Sequence, residues 1–179
     1  MDRPRRWLDG PKSEMNSEMH WKIRPASSAV HPKSECITLY GLKARASNLK
    51  INVVDQLAQG DGQWEGYPGH FSQILLNLLT NADRYAYPEG NGGEVRIVLG
   101  SNLGAYLVTV QDFGRRIAAE DLPRIFDPFF TTGRSSGGTG LGLAIVRNLV
   151  TASLQGDIKL ESALEKGTAV ELTIPRICP

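Results

Sequence analysis

Four glycines, Gly137, Gly138, Gly140 and Gly142, fall within six residues of "GGTGLGLAIV", and the apolar run "LAIVRNLV" follows at once. Glycine loses more backbone freedom on folding than any other residue, so such a cluster before a helix asks for a reason. The first turn of a helix has unsatisfied N–H groups and the positive end of the macrodipole. Bare backbone there can approach an anion with no Cβ in the way. A flexible loop that ends in a helix start fits the same residues. The stretch is not a P-loop, because no Lys-Ser/Thr follows the last glycine. The dinucleotide fingerprint needs a strand directly before it, whereas here "FDPFFTTGRSS" precedes. The glycines alone leave a phosphate cradle and a plain loop both open.

The 179 residues are enough for one domain with a real core, and 41% hydrophobic with 22% charged residues is the balance of a soluble globular protein. A net charge of +1 gives no argument for nucleic acid. The longest apolar runs are about five residues, against the ~20 needed to span a bilayer, so no membrane contact is expected. "MDRPRRWLDG" has no apolar stretch after its basic residues and is not a secretory signal. Cys36 and Cys178 match no metal spacing and read as free thiols of a cytoplasmic protein. His20, His31 and His70 are isolated, which gives no metal site made of protein ligands alone.

Residues 1–34 carry seven Lys/Arg against four Asp/Glu and no sustained apolar period, and are expected to be a poorly ordered leader or linker. Residues 35–179 form the domain. "ECITLYGLKARASNLK" is expected to be a helix and "INVVD" a short strand. The clearest helix runs from about Gly69 to Ala86, with Phe71, Ile74, Leu75, Leu78 and Ala82 on one face. "EVRIVLG" and "AYLVTVQD" read as a hairpin, "AAEDLPRIF" as a short helix or turn, "LGLAIVRNLVTAS" as a second helix, and "GDIKLES" with "GTAVELTIP" as a final strand pair. The expected class is α/β: a two-layer sandwich with a mixed, mostly antiparallel sheet and helices on one face.

Asn77, Asn81 and Tyr85 line up on the other face of the first helix, with Arg84 beside them. Asparagine is a poor helix former, and an Asn oxygen suits Mg²⁺; a polar stripe without a ligand is the plain alternative. Asp112 ends a strand two residues before Gly114, where a carboxylate could accept from an exocyclic amino group and a flat ring could approach bare backbone. A strand-ending Asp in a turn is equally ordinary. Phe126, Phe129 and Phe130 lie in a segment broken by Pro128, which reads as a pinned base for the loose "GRSSGG", the form of a mobile lid.

Together and in order, "NLLTNADRY", "DFGRRI", "FDPFFTT" and "GTGLGLAIV" resemble the ATP-binding catalytic domain of sensor histidine kinases. The wider superfamily, with its Bergerat-type fold, includes the type II topoisomerase ATPase, the ninety-kilodalton heat-shock chaperone and a mismatch-repair ATPase. The likeness covers roughly residues 35–176. It implies Asn81 as a Mg²⁺ ligand, Asn77 near the phosphates, and Arg84 and Tyr85 next to the nucleotide. It implies Asp112 on the adenine amino group, Gly114 beneath the ring, and Thr168 holding the base through water. Gly138, Gly140 and Gly142 would form the phosphate loop. Ile117, Phe126, Thr131, Thr132, Thr139, Leu141 and Leu143 complete the implied set. ATP and Mg²⁺ are the implied cofactors, and a histidine-bearing dimerisation domain and a response regulator the implied partners. No residue is singled out as catalytic, because the acceptor imidazole is itself nucleophilic.

Two departures stand out. Arg116 occupies the second glycine of the family's Asp-x-Gly-x-Gly-Ile box. If the position needs φ > 0, an Arg there is strained and crowds the nucleotide; it could instead bring a guanidinium near phosphate. Residues 1–34 are too short for the dimerising hairpin that carries the phosphate acceptor, and "HWKIRPAS" at His20 matches that pattern poorly. The acceptor is therefore expected from elsewhere. A catalytically weak binding module and an ATP hydrolase of another branch remain as rival readings.

Overall fold

A computed structural model of the chain describes residues 49–57, 64, 66–88, 92–134 and 137–177. The expected leader at 1–34 lies outside these residues, as do both cysteines, His20 and His31. Five strands form one sheet: β1 (Leu49–Asp55), β2 (Gly93–Ser101), β3 (Ala105–Asp112), β4 (Asp157–Ala163) and β5 (Gly167–Pro175), in the order β1-β2-β3-β5-β4. β1 runs parallel to β2, and all other neighbours are antiparallel. The sheet is mixed and mostly antiparallel, as expected.

Leu49 and Lys50 correct the reading of a helix from Glu35 to Lys50: both belong to β1, paired with Gly93 and Glu94. Helical spacing of apolar residues says nothing about the edge of a strand, β2, that lies far along the chain. The rest of that segment lies outside the described residues.

The helix α1 (Pro68–Asn81) opens with Pro at its first position, where the missing N–H costs nothing. It continues as a π-helical turn, Ala82–Ala86. The helix α2 (Gly142–Asn148) likewise runs on into a π-helical turn, Leu149–Ser153. Such turns are rare and recur at functional sites.

Burial alternates along the three central strands. Val95, Ile97 and Leu99 of β2, Tyr106, Val108 and Val110 of β3, and Val170, Leu172 and Ile174 of β5 face one core with Ile74, Leu75, Leu78, Val146, Val150 and Leu154 from the helical layer. The period of two puts the whole apolar set on one sheet face. Trp64 closes the core's edge, its indole N–H donating to the Pro175 carbonyl at 3.1 Å. The two-layer sandwich puts the exit of β3, the start of β5 and the polar stripe of α1 around one opening.

Candidate functional site

That opening is a cleft of about 680 Å³, floored by Val110, Leu160 and Val170 and walled by α1 and by the connection 113–141. Its size is that of a small-molecule site. Asn77, Asn81, Arg84, Tyr85, Asp112, Ile117, Thr131, Thr132, Thr139, Gly140, Leu141, Gly142, Leu143 and Thr168 all line it. Three expected residues do not: Gly114, Phe126 and Gly138.

At one end Asp112 closes β3. Its Oδ1 accepts from the Gly114 N–H at 3.1 Å and the Thr168 N–H at 3.2 Å, so Oδ2 carries neither bond. Burial pushes its carboxyl up to about 6, partly offset by those two backbone donors. Thr168, at 8% exposure, is the one buried polar residue among the described residues. Next to them the Ile117 N–H donates to Ser162 Oγ at 2.9 Å. Tyr87 ends the π-helical turn; its hydroxyl accepts from the Phe113 N–H at 2.9 Å and donates to the Glu94 carbonyl at 2.7 Å. Burial raises the Tyr87 phenol above its ordinary value.

The other end belongs to α1. Asn77 accepts from Gln73 Nε2 at 3.3 Å, yet its own Nδ2 is buried with no partner. An orphaned buried donor costs on the order of 1–3 kcal/mol and asks for an acceptor from the cleft. One turn on, Asn81 abuts Gly142: a methyl there would sit 3.3 Å from Asn81 Oδ1. Arg84 Nη1 donates to the Gly137 carbonyl at 3.1 Å, and the Tyr85 hydroxyl pairs with Thr131 Oγ1 at 2.8 Å.

The glycines have structural duties that their spacing concealed. A Cβ at Gly114 would overlap the Ala86 carbonyl, which accepts from the Arg115 N–H at 3.0 Å. Gly114 thus lets the β3 exit close onto the π-helical turn. A Cβ at Gly138 would press on Tyr85 Oη and Thr131 Oγ1. Gly140, at φ +70°, touches the Phe129 backbone, and its carbonyl accepts from the Phe129 N–H at 2.8 Å. Each glycine holds the loop on the cleft wall, with Thr139 to Leu143 turned into the opening.

The phenylalanine segment is pinned differently from the expectation. Ile125 is buried, whereas Phe129 is 66% exposed at a left-handed φ of 67°. Phe126 packs under Arg147, 5.7 Å from ring centre to guanidinium carbon, which ties the segment to α2. Phe130 lines the cleft under Arg124 at 4.6 Å. The Gly138 N–H donates to the Gly133 carbonyl at 2.9 Å, closing the neck of the loop between them.

Arg116 lines the cleft and is exposed, and its φ is not left-handed. The position therefore imposes no backbone strain on an L-residue.

Several residues in or beside the cleft escaped the sequence reading. Ser162 had a signal: it holds the inward phase of β4 after Ile158 and Leu160, where an apolar residue is the default. Tyr87, Leu160 and Ile125 had none beyond ordinary core character.

For a metal, no group of three or more His, Cys, Asp or Glu stands together among the described residues. Asn81 offers one neutral oxygen. A hard cation would fit here only if most of its oxygens came with an anionic ligand. No helix of the described residues is long and apolar enough to cross a membrane.

The model of the histidine kinase-, DNA gyrase B- and HSP90-like ATPases matches residues 66–177. The chain belongs to that family. The matched span of this ATPase domain starts just before α1 and contains every residue of the cleft. The sensor histidine kinase RppB of Synechocystis sp. is 34% identical over 129 residues, 70% of this chain and 28% of RppB. The sensor protein BceS of Halalkalibacterium halodurans is 32% identical over 170 residues, 92% of this chain and 43% of BceS. The chain thus spans less than half of either relative. The nucleotide-free catalytic domain of histidine kinase ThkA superposes at a TM-score of 0.65 with 31% identity, covering 82% of this chain and 92% of that one. ThkA in complex with response regulator protein TrrA superposes at 0.62 with 28% identity, covering 81% and 39%. This is a nucleotide-binding ATPase domain of the sensor histidine kinase type.

Proposed function

We propose that this domain binds Mg·ATP in the cleft and presents its γ-phosphoryl group to a histidine on a dimerisation domain, from which a response regulator is phosphorylated. The observation that carries the reading is the polarity of the cleft. At one end a carboxylate oxygen, Asp112 Oδ2, stands without its neighbour's two backbone bonds, beside buried Thr168. At the other an unpartnered amide donor, Asn77 Nδ2, stands with Asn81 and Arg84. An acceptor end matches the amino group of adenine, and a donor end matches phosphate.

Within this reading the residues divide the work. Asp112 and Thr168 orient the base over Val110, Leu160 and Val170. Asn77 satisfies its orphaned donor on a phosphate oxygen. Asn81 supplies a ligand to Mg²⁺, which neutralises the charge that develops on the phosphates. Arg84 and Tyr85 hold Gly137 and Thr131 at the phosphate end; the lid expected at "GRSSGG" lies in part outside the described residues. The protein's contribution is position and charge neutralisation, with no general base of its own. ThkA in complex with TrrA supports the choice of a response regulator as partner. The boundary near residue 34 and a cytoplasmic setting belong to the same proposal.

The test is calorimetry with Mg·ATP beside a phosphotransfer assay that supplies a histidine-bearing dimerisation domain. Tight Mg·ATP binding with label appearing on the imidazole is expected. Steady phosphate release without that domain would make the protein a hydrolase, and binding without transfer a regulatory module.

Arg116 bears on affinity. Without backbone strain, obstruction could come only from an exposed side chain that is free to swing, so the charge account is favoured. Arg116→Gly is expected to weaken ATP about two- to fivefold, ADP less, with the difference shrinking at high salt, since an exposed charge contributes at most about 1 kcal/mol. Titrations at two salt concentrations check this. Tightening of ATP and ADP alike would restore the obstruction account.

A further inference from the structure

Behind the acceptor end of the cleft Thr168 is paired with a hydroxyl, that of Ser162, which the mechanism above does not use. Ser162 and Thr168 face each other across the β4–β5 ladder, with Oγ and Oγ1 2.9 Å apart. Thr168 lines the cleft; Ser162 does not. Ser162 Oγ has two further contacts, the Ile117 N–H at 2.9 Å and the Gly167 carbonyl at 3.2 Å.

The hydrogen count settles the directions. The Ile117 N–H can only donate and the Gly167 carbonyl can only accept. Ser162 has one hydrogen. All three contacts are hydrogen bonds only if that hydrogen goes to Gly167 and the Thr168 hydroxyl donates to Ser162. Thr168 then has no hydrogen left for the cleft, and its lone pairs face a ligand. Asp112 Oδ2, next door through the Thr168 N–H bond to Oδ1, is also an acceptor. Two acceptors side by side suit a group that donates two hydrogens, directly or through a water.

We infer that Ser162 is a positioning residue that fixes the Thr168 hydroxyl as an acceptor, and so selects purines with a 6-amino group over purines with a 6-oxo group. The inference rests on the reading of the cleft as an adenine nucleotide site. Without Ser162, the Thr168 hydroxyl is free to turn and donate, which a 6-oxo group welcomes and a 6-amino group does not.

The test measures Mg·ATP and Mg·ITP affinities of the full chain by calorimetry, for the parent, Ser162→Ala and Ser162→Cys. The parent is expected to prefer ATP. Ser162→Ala is expected to lower ATP affinity three- to tenfold and to leave ITP within twofold, narrowing the ratio. Ser162→Cys keeps the shape with a much weaker hydrogen-bonding group, and is expected to move the ratio the same way; it decides the matter if the alanine variant does not fold. Thr168→Val should reproduce the narrowed ratio, with no further change on adding Ser162→Ala. Loss of ATP and ITP affinity by one common factor would make Ser162 a structural residue only and overturn the inference, as would an unchanged ratio. A parent that binds no ATP would overturn the adenine reading itself, a result distinct from either.

Discussion

Asp112→Asn is expected to weaken adenine nucleotide binding by about 1–3 kcal/mol, roughly 5- to 150-fold, and yet to raise the melting temperature of the protein at pH 7. Both effects come from one geometry. Oδ1 accepts both backbone N–H groups, and the Asn oxygen can keep them. The new NH₂ then takes the place of Oδ2 and meets the adenine amino group donor to donor. The gain in stability follows from burial, which raises the carboxyl from 3.8 to about 6. The folded chain therefore keeps this proton to a higher pH than the unfolded chain. The group's stabilising contribution is complete below about pH 4 and is lost as pH rises through 6. Above that, the ionised carboxylate costs on the order of 2–3 kcal/mol, an upper bound because the cleft is open. The melting-point advantage of the variant should accordingly be present at pH 7 and absent at pH 4. For the parent, ATP affinity should fall as pH drops below 6 and the acceptor is protonated. Thermal melts from pH 4 to 8, with ATP and GTP titrations, check all three. Equal losses for ATP and GTP would mean that Asp112 does not read the amino group.

Asn81→Ala is expected to weaken Mg·ATP about 10- to 100-fold while changing metal-free ATP less than about threefold, the scale of one charge-assisted contact. Asn81, the last residue of α1, adjoins Gly142, and its side chain makes no hydrogen bond to the core among the described residues. Its removal leaves the packing of Leu78 and Ala82 intact, so the fold should survive. Titrations with and without Mg²⁺ separate the two effects. A common loss in both would show that Asn81 shapes the wall and holds no metal.

What could be read from the sequence, and what could not, divides along a physical line. The stripe Asn77–Asn81–Tyr85 was legible because helix periodicity projects directly into space. Asp112 was legible because it breaks an apolar strand. The pairing of Ser162 with Thr168 was not, since it needs the register of β4 on β5, which no local pattern sets. Gly114 and Gly138 were legible as glycines but their contacts were not, because the Ala86 carbonyl and the Tyr85 hydroxyl that they admit come from distant parts of the chain. Phe126 and Phe129 looked alike in sequence. One lies against Arg147 and the other faces solvent, a difference made by a single left-handed residue.

The strand order has a kinetic consequence. Asp112 and Thr168 stand on β3 and β5, adjacent strands with a neighbour on each outer side. The parts that face the other end of the cleft hang on the connection 113–141, which includes the short 3₁₀ turn Leu122–Arg124. Under the proposed reading, the identity of the ligand is judged on paired strands of the sheet, and its residence time is set by the connection. Changes in the loop can speed or slow the turnover of such a domain without altering which nucleotide it accepts.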